Sequence, residues 1–559
     1  MFKKTALTAL AIGLTAGVVY ADNNIVKTLQ VKNLGKKSEF YLKNTGYVQV
    51  SNVQTPELTF TGKDGKSKTV KVRNNKALML LPAGKYTIDA VKVTAKKIGE
   101  NNFYSMVGKY GTDEVATVTT DSRTSGKYGM FLYNWNYLRN NILEPFTTMT
   151  LGSAHAPEID EWRAEGRRIL RNCNVTNPFD EPKRGVPFWH TLGQTAEIDG
   201  IGPDEFIVPA GRKDPKDAAL GYTRPGNGFS ADHLAAIKDW NQKYPEKSFY
   251  AWVGIPWNGD CTAITPLYEA TVSSPYGAIL WESYLSGKDA EKGIQSRYLD
   301  RAAAFKSASG GSLKNYIMAP ATYEYMDNNG AIDFKVFLDQ QFHTVATNPV
   351  FADVRGYGMW VAYYTEPELL EWYSKLVQHY GVDGERTMLS SKYGYKLYPG
   401  ILKAHNWENN IDWKLSGAAT LLDKKSANIA QGYMPYTNAN FLRMEIGLGK
   451  KPAATQTLTG LKPGKLYSIK TQFCTPDNPA KSDIGVEIKL ENGEIIDVEK
   501  RFLEDFTRRA PHVWNVRKVV FRAGKKPVKL TITETADAAP AVVLVDRVQA
   551  APYFSLKNK

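Results

Sequence analysis

The chain has 559 residues, 43% of them hydrophobic and 23% charged, the composition of an ordinary globular protein. That length exceeds what one hydrophobic core serves, so roughly two to four domains are expected. The formal net charge of +14 is scattered along the chain, which argues against nucleic acid and for solubility or attraction to an acidic surface or glycan. Aromatic residues make up 12%, with 31 Tyr and 12 Trp; their flat apolar faces and polar edges suit sugars as well as cores.

Residues 1–21 read as a removed leader: a basic "MFKK", an apolar run of small residues, and "VYA" ending at Ala21. No later window is apolar for the ~18 residues of a membrane span. Export, to the periplasm or the exterior, is the expectation, with no transmembrane segment. Residues 22–120 are rich in Val, Thr, Lys and Gly and alternate in runs such as "KTVKVR", which predicts an N-terminal β-sandwich.

From residue 127 to 400, short apolar runs alternate with amphipathic stretches. The candidate strands are "YGMFLYNW" (128–135), "TTMTLGSA" (147–154), "GVPFWHTL" (185–192), "SFYAWVGIPW" (248–257), "YGAILWES" (276–283), "NYIMAPATYEY" (315–325) and "GYGMWVAYYT" (356–365), with "RTMLSS" (386–391) a weak eighth. Helical patterns lie between them, among them 156–173, 230–244, 293–308, 333–347 and 366–380; Ser230 and Asp333 are suitable N-caps. Apolar strands separated by helices predict a parallel sheet covered on both faces, and this number of units fits a (β/α)8 TIM-like barrel. Residues 404–559 return to short alternating strands broken by Gly, Pro and Lys turns, which suits a jelly-roll sandwich with few contacts to its neighbour.

The three cysteines, Cys173, Cys261 and Cys474, are too few and too widely spaced for a disulfide framework. No CxxC, HExxH or paired-His spacing points to a metal, and no GxGxxG or GxxxxGK[ST] follows a strand. No cofactor is expected. "LGSAH" is not a GxSxG elbow, so serine-hydrolase chemistry lacks a motif.

"AHNWENNIDWKLSG" (404–417), "GLKPGKLYSIKTQF" and "VVLVDRVQAAPYF" with its Asp546 resemble the opening, middle and closing strands of jelly-roll carbohydrate-binding modules of secreted bacterial proteins. "GYGMWVAYYTEPELLEWYSKLVQHY" resembles the last repeats of glycoside-hydrolase-like TIM barrels. The resemblance implies a glycan-active protein with a binding appendage. It departs from the best-known retaining barrels where an Asn–Glu pair is usual, since the run ending at Trp257 continues "NGD".

In a barrel of this kind the C-terminal strand ends carry the chemistry. Three of the runs deliver an acid there among aromatics: Glu282 after Trp281 and before Tyr284, Glu324 beside Tyr323, and Glu366 after Tyr364. Asp260, near Trp257, is a fourth candidate. Glycoside cleavage needs one protonated carboxyl and one ionised one, and aromatic walls desolvate the donor. His155 and His190 fall near predicted strand ends, where they could bind substrate hydroxyls or share a metal with a carboxylate; a structural histidine satisfied by its neighbours is the alternative for each. The reading is therefore a glycoside hydrolase acting on a polysaccharide or glycan. A glycan-binding or cell-surface protein without catalysis is the alternative.

Overall fold

The computed structural model describes residues 22–105, 115–118, 130–151, 158–175, 186–204, 206–207, 231–254, 264–322, 329–360, 362–405, 407, 411–427, 440–476, 484–503 and 514–556. Strands between Lys27 and Ile98 form a four-stranded and a five-stranded antiparallel sheet. The alternation seen in the sequence places their apolar residues inward: Lys37–Leu42 buries Ser38, Phe40 and Leu42 and leaves Lys37 and Tyr41 exposed.

Eight parallel strands follow and close on themselves. They are β1 (Asn102–Ser105), β2 (Thr148–Leu151), β3 (Arg168–Asn174), β4 (Gly200–Asp204), β5 (Ser248–Gly254), β6 (Gly277–Ser283), β7 (Tyr316–Pro320) and β8 (Gly356–Met359). β8 returns to β1 through the pair Asn102–Gly358, which makes the sheet a barrel. Between β3 and β8 run α1 (Val186–Gln194), α2 (Ala231–Lys243), α3 (Thr265–Thr271), α4 (Asp300–Ala308) and α5 (Phe334–Thr347), and α6 (Pro367–Leu376) follows β8.

Successive residues of each strand face opposite sides. Tyr250, Trp252, Ala278, Leu280, Ile317 and Ala319 fill the barrel interior with Tyr104 and Leu170. Phe249, Val253, Ile279, Trp281 and Met318 pack outward under the helices. At the N-terminal end a fully buried ion pair, Glu100 with Arg355, joins the entries to β1 and β8. Arg355 Nη1 also donates to the Gly277 carbonyl at 2.7 Å, which ties in β6.

Several strands differ from the sequence reading, each for a physical reason. The run 128–135 is not in the barrel: Met130–Tyr133 pairs antiparallel with Val115–Val118, and the first barrel strand lies upstream at Asn102–Ser105. "RILRNC", read as the end of a helix, is β3; the helix before it is only Glu158–Ala164. The chain reverses at Gly166, with φ +79°, where a Cβ would meet the Leu78 carbonyl of the N-terminal sandwich.

"GIGPD", which is not among the candidate strands, is β4. Its glycines are there for space, since a Cβ on Gly202 would lie 3.0 Å from Trp252 Nε1 inside the barrel. "GVPFWHTL" is helical, with Pro187 in the first turn, where its missing N–H costs nothing. "RTMLSS" supplies no strand; Leu389–Tyr393 is a short helix closed by Gly394 at φ 70°.

The C-terminal strands form a four-stranded and a six-stranded antiparallel sheet. Their shared core includes Trp407, Trp413, Leu442, Ile469, Phe521 and Val545. Asp546, in the closing strand, is buried.

Candidate functional site

Glu282 is the next-to-last residue of β6, paired in register with Ala319 of β7. It shares the inward parity of Ala278 and Leu280, so it tops the interior column at the C-terminal mouth. Its carboxylate leans over β5: Oε2 lies 3.4 Å from where a Cβ on Gly254 would be. The side chain is half-buried.

The same interior holds an aromatic cluster that the sequence reading missed. Tyr104 of β1, Trp252 of β5 and Trp360, the residue after β8, meet across the barrel. Trp252 and Trp360 cross edge to face at 5.1 Å, and Tyr104 stands 5.1 Å from Trp360 and 6.0 Å from Trp252. Tyr104 and Trp252 are buried, whereas Trp360 and Tyr364 are partly open. The signal was present as parity: Trp252 is two residues before Gly254 and two after Tyr250. In a run that is apolar throughout, however, nothing in the sequence marks which parity faces inward.

Asp204, also missed, ends β4 with the same parity as Gly202, which faces Trp252. It is half-buried, and its charge adds to the burial that raises the Cys173 thiol well above its ordinary range. β4 and β6 flank β5, so with about 4.8 Å between strands their backbones stand roughly 10 Å apart.

The remaining expected site residues separate. Trp281 has no exposure and points away from the mouth, edge-on to Phe305 at 4.8 Å and beside Tyr298. It belongs to the layer between barrel wall and helices because its odd position in β6 faces outward. Tyr284 packs against that same layer, and its carbonyl accepts from Arg297 Nη1. His190 sits on α1, with Nε2 3.2 Å from Asp239 of α2; burial and Lys243 lower its pKa while Asp239 opposes them. Tyr364 does border the interior, in the turn Ala362–Tyr364 after β8. The turn is braced where Tyr133 Oη donates to the Thr365 carbonyl and the Thr365 and Thr322 hydroxyls bond at 2.6 Å. Glu324, Asp260, Trp257, His155 and Tyr323 lie outside the described residues.

Glu366 faces the C-terminal sandwich instead. It is the N-cap residue of α6, and its carboxylate meets Lys518 at 3.2 Å and Lys470 at 3.5 Å. Lys518 also pairs with Glu368 at 2.7 Å, Glu368 with Lys335 at 3.0 Å, and Lys335 with Asp333 at 3.1 Å. All six side chains are buried. Burial raises the Glu368 carboxyl, but Lys335 and Lys518 more than offset it and hold it below the usual range. At Asp333 burial prevails over Lys335 and pushes the value to about 6.

Asp333 and Glu366 cap helices that follow barrel strands, so the sandwich docks at the same end of the barrel as the mouth. Further bonds cross the junction: Phe554 N donates to Glu368, Leu556 N to Glu371, and Gln549 Nε2 to the Ile332 carbonyl. The few crossing contacts expected of an independent module are thus a dense polar junction.

Among the described residues no group of three His, Cys, Asp or Glu side chains could hold a metal ion. Among the same residues no helix is long and apolar enough to cross a membrane.

No protein-family model matches the sequence, and no curated protein does. Solved structures that match include glycoside hydrolases and carbohydrate-binding modules. A cycloisomaltooligosaccharide glucanotransferase from Paenibacillus sp., solved with cycloisomaltoheptaose, is 11% identical over 95% of this chain and 72% of its own, with a TM-score of 0.26. Isomalto-dextranase from Arthrobacter globiformis T6, solved with panose, is 10% identical over 81% of this chain and 96% of its own, with a TM-score of 0.28. The module TmCBM61, solved with β-1,4-galactotriose, is 14% identical over 27% of this chain and 98% of its own, with a TM-score of 0.18. At these scores the likeness carries no weight for activity, which has to come from the site itself.

Proposed function

We propose that the chain is an exported glycoside hydrolase, with Glu282 as the proton donor at the barrel mouth. The observation that carries this reading is a half-buried acid, inward-facing at the C-terminal end of β6, in a barrel interior that also holds Tyr104, Trp252 and Trp360. A sugar ring has an apolar face that packs on Trp360 and Tyr364, which brings its glycosidic oxygen to the acid. Glu282 protonates that oxygen as the bond to the anomeric carbon breaks, and a second carboxylate stabilises the oxocarbenium-like centre or activates water. Asp204 is the described candidate for the second role, and the strand spacing leaves room for a water between the two. Asp260 and Glu324 compete for it. Export by way of residues 1–21 belongs to the same reading.

The test is reducing-sugar release from a panel of polysaccharides and host glycans, followed by Glu282→Gln on the best substrate. The variant keeps shape but carries no transferable proton, so turnover should fall by about 10²–10⁴-fold. An aryl glycoside with a good leaving group should lose much less in the bond-breaking step. Binding to a panel member without any release would replace the hydrolase with a glycan-binding barrel.

A further inference from the structure

Where the barrel's C-terminal flank meets the sandwich there is a cleft of about 620 Å3, within the ~300–1,000 Å3 usual for small-ligand sites. It belongs to neither unit alone. One wall is Lys375 of α6 and the segment Tyr393 to Ile401; the other is Gly460 to Tyr467, Arg522 and Pro552 to Leu556.

Its lining is one-sided in charge. Lys375, Lys396, Lys462 and Lys465 join Arg522, and among the described residues that line it none is acidic. Arg522 bonds to Glu494, outside the lining, and that contact is exposed on both sides. The acids of the nearby junction face other partners: Glu368 holds Lys335 and Lys518, and Glu371 accepts from Leu556 N and Tyr137 Oη.

The cleft also offers fixed aromatic faces. Tyr393 is 46% exposed, large for a tyrosine whose ring is held on two sides. Trp372 meets it edge-on at 5.5 Å, Phe554 edge-on at 5.5 Å, and Tyr395 lies at 5.5 Å with its plane tilted by 31°. Rings anchored this way lose little freedom on binding, which favours stacking by a flat apolar ligand face.

We infer that this cleft is a binding site for an acidic saccharide, one whose carboxylate or sulfate groups meet the lysines while a ring face stacks on Tyr393. Tyrosine faces alone would take a neutral sugar, and lysines alone any polyanion; the two together select a sugar that carries negative charge. The site is separate from the mouth and does not depend on Glu282 being catalytic.

The experiment uses the full chain and isothermal titration at low salt. Its probes are hexagalacturonate, a heparin-derived hexasaccharide, cellohexaose as the neutral control and a single-stranded DNA decamer. Binding of the first tells carboxylate recognition, of the second sulfate recognition, and cellohexaose should not bind here. Lys396→Ala with Lys462→Ala should weaken the acidic saccharide roughly tenfold to a hundredfold, as expected for lost charge-assisted contacts. Tyr393→Ala should weaken it as well, without shifting the unfolding midpoint by much. Glu282→Gln should leave this affinity unchanged, so failure here and failure of the hydrolase reading are told apart. The inference is overturned if neither saccharide binds, if the lysine and tyrosine variants bind as wild type does, or if DNA binds equally well and does so without Tyr393.

Discussion

The barrel mouth and the barrel–sandwich junction each hold a glutamate that follows an apolar strand among aromatics, and the two have opposite environments. Glu282 leans inward over Gly254, half-buried in the interior that holds Trp252 and Trp360. Glu366 is buried, and its carboxylate is matched by two ammonium groups from strands more than a hundred residues away. A carboxylate next to aromatic surface and open to the mouth can exchange a proton with a substrate. One clasped by Lys470 and Lys518 is tied into the junction, because moving its charge would take this carboxylate from buried Lys470 and leave Lys518 with Glu368 alone. The residue type is the same; what differs is what surrounds it in space.

The largest effect that separates the two is catalytic. Glu282→Gln should cost about 10²–10⁴-fold in turnover with the unfolding midpoint unchanged. Glu366→Gln should do the reverse, leaving turnover per folded molecule within a few-fold. If both variants lose turnover alike, the junction is part of the catalytic machinery and the comparison fails.

Next in size is stability. Removing one partner from a buried pair typically costs about 3–5 kcal/mol, and Glu366→Gln should fall in that range by urea unfolding. Glu100→Gln is the control at the other end of the barrel. It leaves Arg355 buried without its anion and should cost a similar amount, with no effect on the mouth. A Glu366 variant as stable as wild type would mean that Lys470 and Lys518 are satisfied by other groups.

The same contrast explains how much of the molecule was legible in its sequence. The second half of the barrel was readable because "SFYAWVG", "GAILWES", "YIMAP" and "GYGM" are apolar along their length and helices follow them. β4 was not, because two glycines and a proline, with Gly202 making room for Trp252 and Gly200 lying against the Ser248 backbone, leave it without an apolar run. The placing of Glu282 at the C-terminal end of a barrel strand was legible from the apolar run it closes. Its true neighbours were not, because the face a residue occupies in a wholly apolar strand is decided by closure of the barrel. That is why Trp281, adjacent in sequence, turned out to face Phe305, while Trp360, distant in sequence, packs against the interior cluster. The lysines on Glu366 had no local signal at all.

The smallest effect lies inside the junction, where two acids of one network shift in opposite directions. Glu368 is held below its ordinary 4.5, so its contribution is present above that value and is lost as pH falls through its folded value. Asp333 is raised from 3.8 to about 6, so the folded chain takes up a proton there that the unfolded chain does not. Its sign is therefore reversed: this group favours folding more as pH falls from about 6 toward 4, and the gain is lost as pH rises through its folded value. Asp333→Asn keeps an oxygen for the Lys335 amide, which the aspartate caps at 3.0 Å, but removes the titration. Urea unfolding of both proteins from pH 7 to 4.5 cancels in the difference the groups that do not couple to Asp333. Wild type should gain stability relative to the variant as pH falls through 6. A difference that stays flat over that interval would place Asp333 at its ordinary value, with Lys335 matching the burial rather than yielding to it.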